Sequence, residues 1–387
     1  MFSRIGFFSR RLIEAWTYCV KAKKFFALPK PAPILVLDDG NHNLLVPLFR
    51  GTPYTLVNLT GKEICCALPI ILDTVWNFFQ CRRLKVAYAL AMLRRIKPSI
   101  VVTYIDSNGV FQQVARITQS VRFLAVQNGN RLLERDNPPG SQQIYLKEFA
   151  CLGKYEIDLY TRHGAIVERF YPVGMLLDSY YRKTNPIPPR DKDFDICVVS
   201  GVQPDLAERH TERMDSFIRL VQYVERFCNT HKKSVCVAMR RHPEQNAKLY
   251  DWELTWYQQY LGNVVKLYPN TPGAFNTYDL TDRSKVSLGM HSTAMREAFG
   301  RGNRILSCNF SGNPVYDFPV AGPWAMDTPD YEVFEARLIY LLELNDADYR
   351  ECSAEAVDYL TGYSSDMPPH EFLANIISDA VKEIFHM

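Results

Sequence analysis

Runs of β-branched and apolar residues alternate with longer helical patterns along this chain of 387 residues. Such alternation is typical of parallel sheets whose strands are joined by crossover helices. In the first half it predicts strands at residues 34–37, 54–57, 100–104 and 122–126, with helices at 67–79 and 84–96. In the second half it predicts strands at 195–200, 234–240, 264–268, 286–288 and 304–307, with helices at 215–230, 245–260 and 293–300. The predicted fold class is therefore α/β, with doubly wound sheets.

A proline-rich stretch, Asn185-Pro-Ile-Pro-Pro-Arg190, separates these two series of elements. Because proline-rich segments act as extended linkers, we predict two Rossmann-like domains, residues 1–186 and 187–387, that face each other across a cleft. A last helix at residues 369–385 is expected to cross back to the first domain. Ligands of open α/β sheets bind beyond the carboxyl ends of the strands, so the site is expected in the cleft.

The first thirty residues carry seven lysines and arginines against Glu14 alone, whereas the whole chain has a formal net charge of +3. Apolar side chains are interleaved with these cations, which is typical of a basic amphipathic helix lying on an anionic membrane. An ordinary surface helix that packs on the first domain is the alternative. The most apolar stretch, residues 64–79, is interrupted by Pro69 and Asp73 and is too short to span a bilayer.

The ten cysteines are scattered, and neither a CxxC pair nor an HExxH motif occurs. This usage indicates free thiols in a reducing cytoplasm and predicts no metal site. We therefore expect a cytoplasmic protein, soluble or peripheral on the inner face of the membrane, without a resident cofactor. Aromatic residues form 13% of the chain, but no basic stripe accompanies them beyond the first thirty residues. Nucleic acid is therefore not an expected partner.

One predicted strand ends directly in Arg240, Arg241, His242 and Pro243. Two guanidiniums and an imidazole at the carboxyl end of a strand suit a phosphate group, and proline fixes the turn that follows. The alternative is a solvated basic loop. We predict that these four residues bind the phosphate of an activated donor.

A second predicted strand leads through His291-Ser292-Thr293 into a helix. Hydroxyls and unpaired backbone N–H groups at a helix start favour an anion, so these three residues are also predicted to bind the donor. A capped helix without a ligand is the alternative. Glu297 lies one helical turn beyond Thr293 and can either reach a ribose hydroxyl of the donor or complete a helix cap.

The His-Pro strand end and the Ser/Thr turn resemble the C-terminal domain of GT-B glycosyltransferases over residues 195–310. The pattern is similar to that of sialyltransferase-like, polysialyltransferase-like and capsule Kdo-transferase enzymes, and of CDP-glycerol glycerophosphotransferases of teichoic-acid synthesis. The resemblance implies the GT-B fold. It also implies that His242 and Ser292, with Thr293 as a neighbour, contact the donor phosphates.

The first half resembles bacterial surface carbohydrate biosynthesis proteins at Leu124-Ala-Val-Gln-Asn-Gly-Asn-Arg131 and at residues 151–175. This likeness implies that Gln127, Asn128 and Arg131 contact the acceptor or the donor, although Arg131 can instead pair with a structural carboxylate. In the glycerophosphotransferases the place of Asn128 is taken by a histidine proposed as the base. An amide does not titrate, so the base must come from elsewhere.

Asp38-Asp39-Gly40 follows the first predicted strand and resembles the acidic motif that supplies the general base of polysialyltransferases. We predict that Asp39 is the catalytic base, with Asp38 beside it contacting the acceptor or donor. Asp106, which follows the strand at 100–104, is the competing candidate. Each of these aspartates can also be an ordinary turn residue.

Together these features predict an inverting, metal-independent glycosyltransferase. The resemblance favours a CMP-linked acidic sugar, such as Kdo or a nonulosonic acid, as the nucleotide-sugar donor. The expected acceptor is a surface polysaccharide or lipopolysaccharide. Two alternatives stay open: a polyol-phosphate transferase that uses a CDP donor, and a catalytically silent GT-B-like scaffold in polysaccharide assembly.

Overall fold

The structure, a computed structural model, describes residues 22–37, 42–58, 63–137, 141–186, 191–204, 211–262 and 265–383. The predicted acidic motif, Asp38 and Asp39, lies outside the described residues, as do residues 1–21 of the basic N-terminal segment and residues 187–190 of the linker. No helix in the described ranges has the length and apolar character needed to cross a membrane.

Parallel strands and crossover helices alternate through both halves of the chain. The strands are β1 Lys23–Phe25, β2 Ile34–Leu37, β3 Tyr54–Val57, β4 Glu63–Cys65, β5 Ile100–Thr103, β6 Arg122–Val126, β7 Tyr145–Cys151, β8 Ile166–Pro172, β9 Phe194–Val199, β10 Val235–Ala238, β11 Val265–Tyr268, β12 Ser284–Gly289, β13 Arg304–Cys308 and β14 Ala325–Met326. The helices are α1 Leu68–Cys81, α2 Leu84–Ile96, α3 Gly109–Ile117, α4 Leu133–Asp136, α5 Lys154–Arg162, α6 Leu176–Thr184, α7 Thr211–His231, α8 Pro243–Leu261, α9 Asn276–Asp282, α10 Thr293–Gly300, α11 Tyr331–Glu343, α12 Asp346–Leu360 and α13 Pro369–Lys382.

The first sheet has the strand order β3-β2-β5-β6-β7-β8, with parallel pairing throughout. Strands β2 and β5 are buried along their whole length because helices cover both faces of the sheet. On one face, Leu373 and Ile377 of α13 join the core formed by β2 and β5. The last helix therefore completes the core of a sheet that belongs to the first half of the chain.

The second sheet has the strand order β11-β10-β9-β12-β13-β14 and is also parallel. After β11 the chain crosses to the far side of β9, so the strand order reverses between β9 and β12. Such a reversal opens a crevice at the carboxyl ends of the strands. The two sheets confirm the predicted doubly wound α/β class.

Buried ion pairs join the two halves. Arg296 of α10 donates to both carboxylate oxygens of Glu156 on α5, at 2.6 and 2.8 Å, and both side chains are buried. Close by, the N–H of Gly362 donates to the carbonyl of Leu152 at 2.6 Å. A Cβ on Gly362 would lie 1.9 Å from the carbonyl oxygen of Pro172, so only glycine permits this approach.

Helix α6 also reaches the second half through buried charges. Arg301 pairs with Asp178 of α6 at 2.7 Å and with Asp282 at 2.9 Å, and the hydroxyl of Tyr181 donates to Asp282 at 2.8 Å. Helix α6 is therefore anchored to α9 and to the end of α10 in the second half, although it precedes the linker. The boundary proposed between residues 186 and 187 stays a prediction.

The N-terminal segment and strand β7 are among the places where the first half differs from the sequence analysis. The helix predicted over residues 1–30 does not extend into residues 23–25, which form strand β1 and pair in parallel with β4. Strand β7 was not predicted because Lys147 and Glu148 interrupt its apolar pattern. Both are buried: Glu148 is paired with Arg122, while Lys147 donates to backbone carbonyls after α3.

Candidate functional site

A cavity of about 390 Å³ lies where the carboxyl ends of strands from both sheets meet. Its volume is within the range typical of small-molecule sites. The lining residues end or follow β6 in the first sheet and β9, β10 and β12 in the second, or lie on α4, α7 and α10: Asn130, Leu132, Arg135, Val199, Ser200, Gly201, Gln203, Arg213, Arg240, Met290, His291, Ser292 and Thr293. The cavity therefore occupies the crevice between β9 and β12.

Three arginines line this cavity, and no aspartate or glutamate is among the described residues that line it. Burial and the positive charges of Arg240 and Arg135 lower the pKa of Arg213, which shows that the guanidiniums repel one another. The side-chain amide of Gln203 is oriented with its oxygen toward Arg240. That oxygen accepts from Nη2 and Nη1 of Arg240 at 2.8 and 3.1 Å. An anion placed among these groups would relieve the repulsion.

The strand end that carries Arg240 is held by a buried carboxylate. Glu253 of α8 accepts from the backbone N–H groups of Arg240 and Arg241, at 2.9 and 3.1 Å, and from the hydroxyl of Ser200 at 2.5 Å. Burial raises the pKa of Glu253, and these hydrogen bonds oppose the shift. Glu253 therefore fixes the ends of β9 and β10 relative to each other.

His291 presents a neutral imidazole to the cavity. Burial, and then the charge of Arg213, lower its pKa to about 4, while a hydrogen bond with the backbone of Asp317 acts in the opposite direction. A contact that raises the pKa of histidine is one in which the ring N–H donates. Its Nε2 is buried and has no partner among the described residues, so in the tautomer protonated at Nδ1 it can accept a hydrogen bond from a ligand.

The Ser292–Thr293 turn connects the two domains at the cavity. Thr293 begins α10 and accepts from the backbone N–H of Asn130 through Oγ1 at 2.9 Å. The Oδ1 atom of Asn130 is buried and has no partner in the described part of the chain. Ser292, the N-cap residue, makes no side-chain capping bond, so the first N–H groups of α10 lack the side-chain acceptor that usually satisfies them.

The loop after β6 is ordered by a buried ion pair. Arg131 pairs with Asp106, and the hydroxyl of Tyr160 donates to the same carboxylate at 2.6 Å. Arg131 also donates to the side-chain oxygen of Asn128 at 2.5 Å. Gln127 is buried and accepts from the N–H of Leu152 at 3.0 Å.

These contacts position the loop that carries Asn130. The predicted site residues that make them do not line the cavity: Asp106, Gln127, Asn128 and Arg131. The carboxylate of Asp106 accepts hydrogen bonds from Arg131 and Tyr160 and does not line the cavity, and its catalytic role stays a prediction. Gln127, Asn128 and Arg131 orient the loop. Arg131 pairs with a carboxylate, which is the alternative given for it in the sequence analysis.

The residues predicted to bind the donor divide into two groups. Arg240, His291, Ser292 and Thr293 come together at the cavity, whereas Arg241, His242, Pro243 and Glu297 do not line it. His242 caps its own helix, because its Nδ1 accepts from the N–H of Glu244 at 3.2 Å, with Pro243 in the first turn.

Glu297 is buried beneath the turn and accepts from the hydroxyl of Tyr278 at 2.8 Å. Burial, and then the charge of Asp178, raise its pKa to about 8. The carboxyl group therefore neither reaches the cavity nor caps α10.

The sequence analysis missed Arg213, Arg135, Gln203 and Glu253. Arg213 and Arg135 lie on helices, where a basic residue is ordinarily a solvated surface residue. Gln203 lies four residues beyond β9, and its position after a buried strand is the one signal that could have identified it. Glu253 lies in the middle of α8, and its burial depends on a tertiary contact.

Comparison with protein-family models finds no match for this chain, and no curated protein sequence matches it. Several solved structures are similar in fold. UDP-GlcNAc 2-epimerase from Methanocaldococcus jannaschii, in complex with UDP-GlcNAc and UDP, is 12% identical with a TM-score of 0.51 over 89% of this chain and 99% of its own.

UDP-GlcNAc 2-epimerase from Neisseria meningitidis, bound to UDP-GlcNAc, is 12% identical with a TM-score of 0.51 over 90% of this chain and 99% of its own. Sucrose-phosphate synthase from Thermosynechococcus elongatus is 13% identical with a TM-score of 0.50 over 91% and 99%. These are two-domain GT-B folds, so the likeness confirms the predicted GT-B architecture.

Proposed function

We propose that this chain is a glycosyltransferase that binds a nucleotide-sugar in the cavity between its two domains. The observation that supports the proposal is the set of three arginines in this cavity, whose described lining contains no carboxylate. Such a set suits the phosphate groups of a nucleotide donor. The N–H groups at the start of α10 add favourable electrostatics for an anion.

In the proposed reaction an acceptor hydroxyl attacks the anomeric carbon of the donor sugar. The new glycosidic C–O bond forms as the C–O bond to phosphate breaks, and direct displacement inverts the anomeric centre. Arg213 and Arg240 neutralise the charge on the departing nucleotide. The hydroxyl proton passes to a carboxylate, for which Asp39, with Asp38 beside it, stays our proposal.

Two donor classes have specific support. The sequence resemblance favours a CMP-linked acidic sugar, transferred to a surface polysaccharide or lipopolysaccharide. The M. jannaschii and N. meningitidis proteins of similar fold are bound to UDP-GlcNAc, which favours a UDP-sugar. In either class the neutral Nε2 of His291 would accept a hydrogen bond from a hydroxyl or N–H of the nucleoside or sugar.

A thermal-shift screen with CMP, CDP, UDP and GDP and their sugars tests this proposal, since a ligand of the native state raises the melting temperature. Hydrolysis of the best ligand, with and without glycan acceptors, then measures turnover. Turnover of CDP-glycerol alone would support a polyol-phosphate transferase. Binding without turnover of any donor would support the scaffold alternative.

Arginine substitutions sharpen the test, because Arg240 lines the cavity and its neighbour Arg241 does not. We expect Arg240→Met and Arg213→Met to weaken nucleotide binding by about ten- to a hundredfold, since each removes a charge-assisted contact. Arg241→Met is the matched control and should bind nearly as the unaltered chain does. Equal affinities for all variants, measured by isothermal titration, would disprove the assignment of the cavity.

A further inference from the structure

Helix α1 exposes its apolar side to solvent and buries polar side chains, which is the reverse of an ordinary surface helix. Its outward side is an unbroken apolar stripe, here named the α1 face: Leu68, Ile71, Leu72, Val75, Trp76 and Phe79. The spacing of these residues follows the helical period, so they lie along one side of the helix. Trp76 and Phe79 are 63% and 65% exposed, whereas the polar residues Thr74 and Asn77 are buried.

The polar side chains on the buried side of α1 have hydrogen-bond partners, and these contacts hold the helix in this orientation. The hydroxyl of Thr74 donates to the carbonyl of Ile70 at 2.6 Å, and the amide of Asn77 donates to the carbonyl of Ala87 on α2 at 3.2 Å. Rotating α1 to bury its apolar stripe would break the contact between Asn77 and α2 and would expose Ile70. The outward stripe is therefore part of the native packing.

A neighbouring segment extends the apolar surface. Strand β1 lies beside β4, and the N–H of Cys66 donates to the carbonyl of Phe25 at 2.7 Å, just before α1 begins. In this segment Phe26 is 72% exposed and Leu28 is 49% exposed. Monomeric soluble proteins rarely expose a contiguous apolar surface of this kind without a binding function.

Positive charge dominates the segments that carry and adjoin the α1 face. Residues 22–37 and 63–97 contain nine lysines and arginines against only Glu63 and Asp73. Glu63 already pairs with Lys23 at 3.4 Å, and Asp73 pairs with Arg94 and Arg95 at 3.2 and 3.5 Å. An apolar stripe containing tryptophan and phenylalanine, with cations at its margins, matches the interface of a bilayer that carries anionic lipids.

We propose that the α1 face docks the protein on the surface of an anionic lipid bilayer. The apolar side chains enter the boundary between headgroups and acyl chains, and the surrounding lysines and arginines contact anionic headgroups. This docking requires no spanning helix. It is independent of the nucleotide cavity and of the proposed reaction.

Charge favours the bilayer over the two other candidate occupants. A second copy paired through the same face would bring two basic margins together, and like charges across an interface are unfavourable. Residues 1–21 carry Arg4, Arg10, Arg11 and Lys21 against Glu14, so they would also add positive charge to a basic margin. An anionic membrane is the occupant that complements it.

Vesicle flotation of the full chain tests the proposal. We expect the protein to float with vesicles of phosphatidylcholine and phosphatidylglycerol, but weakly with phosphatidylcholine alone, and less as salt is raised. The double variant Trp76→Ser with Phe79→Ser should lose binding by about tenfold or more, because binding scales with buried apolar area. Both replaced side chains are exposed, so the melting temperature should be unchanged.

The matched control is Val333→Ser with Tyr340→Ser, which removes two exposed apolar side chains from α11. It should float as the unaltered chain does. Equal binding by the α1 variant, equal loss in the control, or no flotation of the unaltered chain would each overturn the proposal.

Hydroxyl-radical footprinting of Trp76 and Phe79 distinguishes the bilayer from a second copy or another part of this chain as the occupant of the α1 face. Both side chains should be reactive in buffer and protected on the anionic vesicles. Protection in a vesicle-free monomer would show that another part of this chain covers the face. Protection that rises with protein concentration, together with a dimer by light scattering, would show a second copy. Either result overturns the proposal.

Discussion

Burial determines what the carboxyl group of Glu297 can do. The residue lies one turn into α10, as the sequence indicates, but helical spacing alone does not reveal which side of α10 faces the cavity. The structure directs the side chain away from the cavity, toward Tyr278 and near Asp178. Burial and the negative charge of Asp178 favour the acid form, and they outweigh the opposing effects of the Tyr278 hydrogen bond and of the nearby arginines.

This environment predicts a pH effect on stability. Burial raises the pKa of Glu297 to about 8 in the native state, whereas its ordinary value is 4.5. The unfolded chain therefore releases the proton first, and the free energy of unfolding falls as pH rises from 4.5 toward 8. The side chain of the Glu297→Gln variant cannot ionise. From pH 5 to pH 8 the free energy of unfolding of the variant should therefore fall by roughly 3 kcal/mol less than that of the unaltered chain.

Urea unfolding at the two pH values measures the difference. The exposed Glu351→Gln provides the control, which should follow the unaltered chain. Parallel losses of stability in the Glu297→Gln and unaltered proteins would show that Glu297 titrates normally.

At the scale of single elements, the strands of the second sheet were the most predictable part of the molecule. Most are short runs rich in apolar residues with turn residues beyond them, and the sequence analysis predicts β9 to β13 near their observed positions. The turn before α10 was predicted for the same reason, because a strand end and a helix start are local signals. The side chain that binds a strand end can come from a distant part of the sequence, where no local pattern identifies it. Glu253, which accepts from the backbone of Arg240 and Arg241, is an example.

We predict that Glu253 supports the arginine site through the backbone. Glu253→Gln replaces one carboxylate oxygen with an NH2 group that would face a donor, which leaves a backbone N–H of Arg240 or Arg241 unpaired. Stability should fall by about 1–3 kcal/mol, and nucleotide affinity should fall with it as Arg240 becomes less ordered. Denaturant unfolding and isothermal titration measure the two effects.

Glu244→Gln, at an exposed position on the same helix, is the matched control and should change neither quantity. An unaltered affinity in a folded Glu253→Gln protein would show that the strand end needs no such anchor.

At the scale of the whole molecule, the two domains are joined by contacts that the sequence analysis did not foresee. Glu156 and Arg296 are 140 residues apart, and each lies within a helical pattern typical of a solvated surface. Their burial results from how the two sheets are placed, which no local pattern encodes. The alternation of strands and helices predicted the two doubly wound sheets, but not the ionic contacts that hold them together.

Removing one member of this pair should be costly. Glu156→Ala leaves the buried Arg296 guanidinium without its carboxylate, so we expect the free energy of unfolding to fall by about 3–5 kcal/mol. Lys154→Ala is the matched control, because Lys154 lies on the same helix and makes an exposed contact between the domains with Asp358 at 2.6 Å. Exposed pairs contribute about 0–1 kcal/mol.

Chemical denaturation with a fluorescence probe in each domain measures both variants. Glu156→Ala should also separate the transitions of the two domains, since it weakens their coupling. Equal stabilities of Glu156→Ala and Lys154→Ala would show that the buried pair adds nothing beyond an exposed one.

The return of α13 to the first sheet has a consequence for how the protein is made. Leu373 and Ile377 cover a face of strands that leave the ribosome more than two hundred residues earlier. During synthesis the part of that face that packs against α13 stays uncovered, so the first domain cannot reach its final form until residues 369–382 have been made. A nascent chain with a long-exposed apolar sheet is vulnerable to aggregation and is a natural client for chaperones that bind at the ribosome exit.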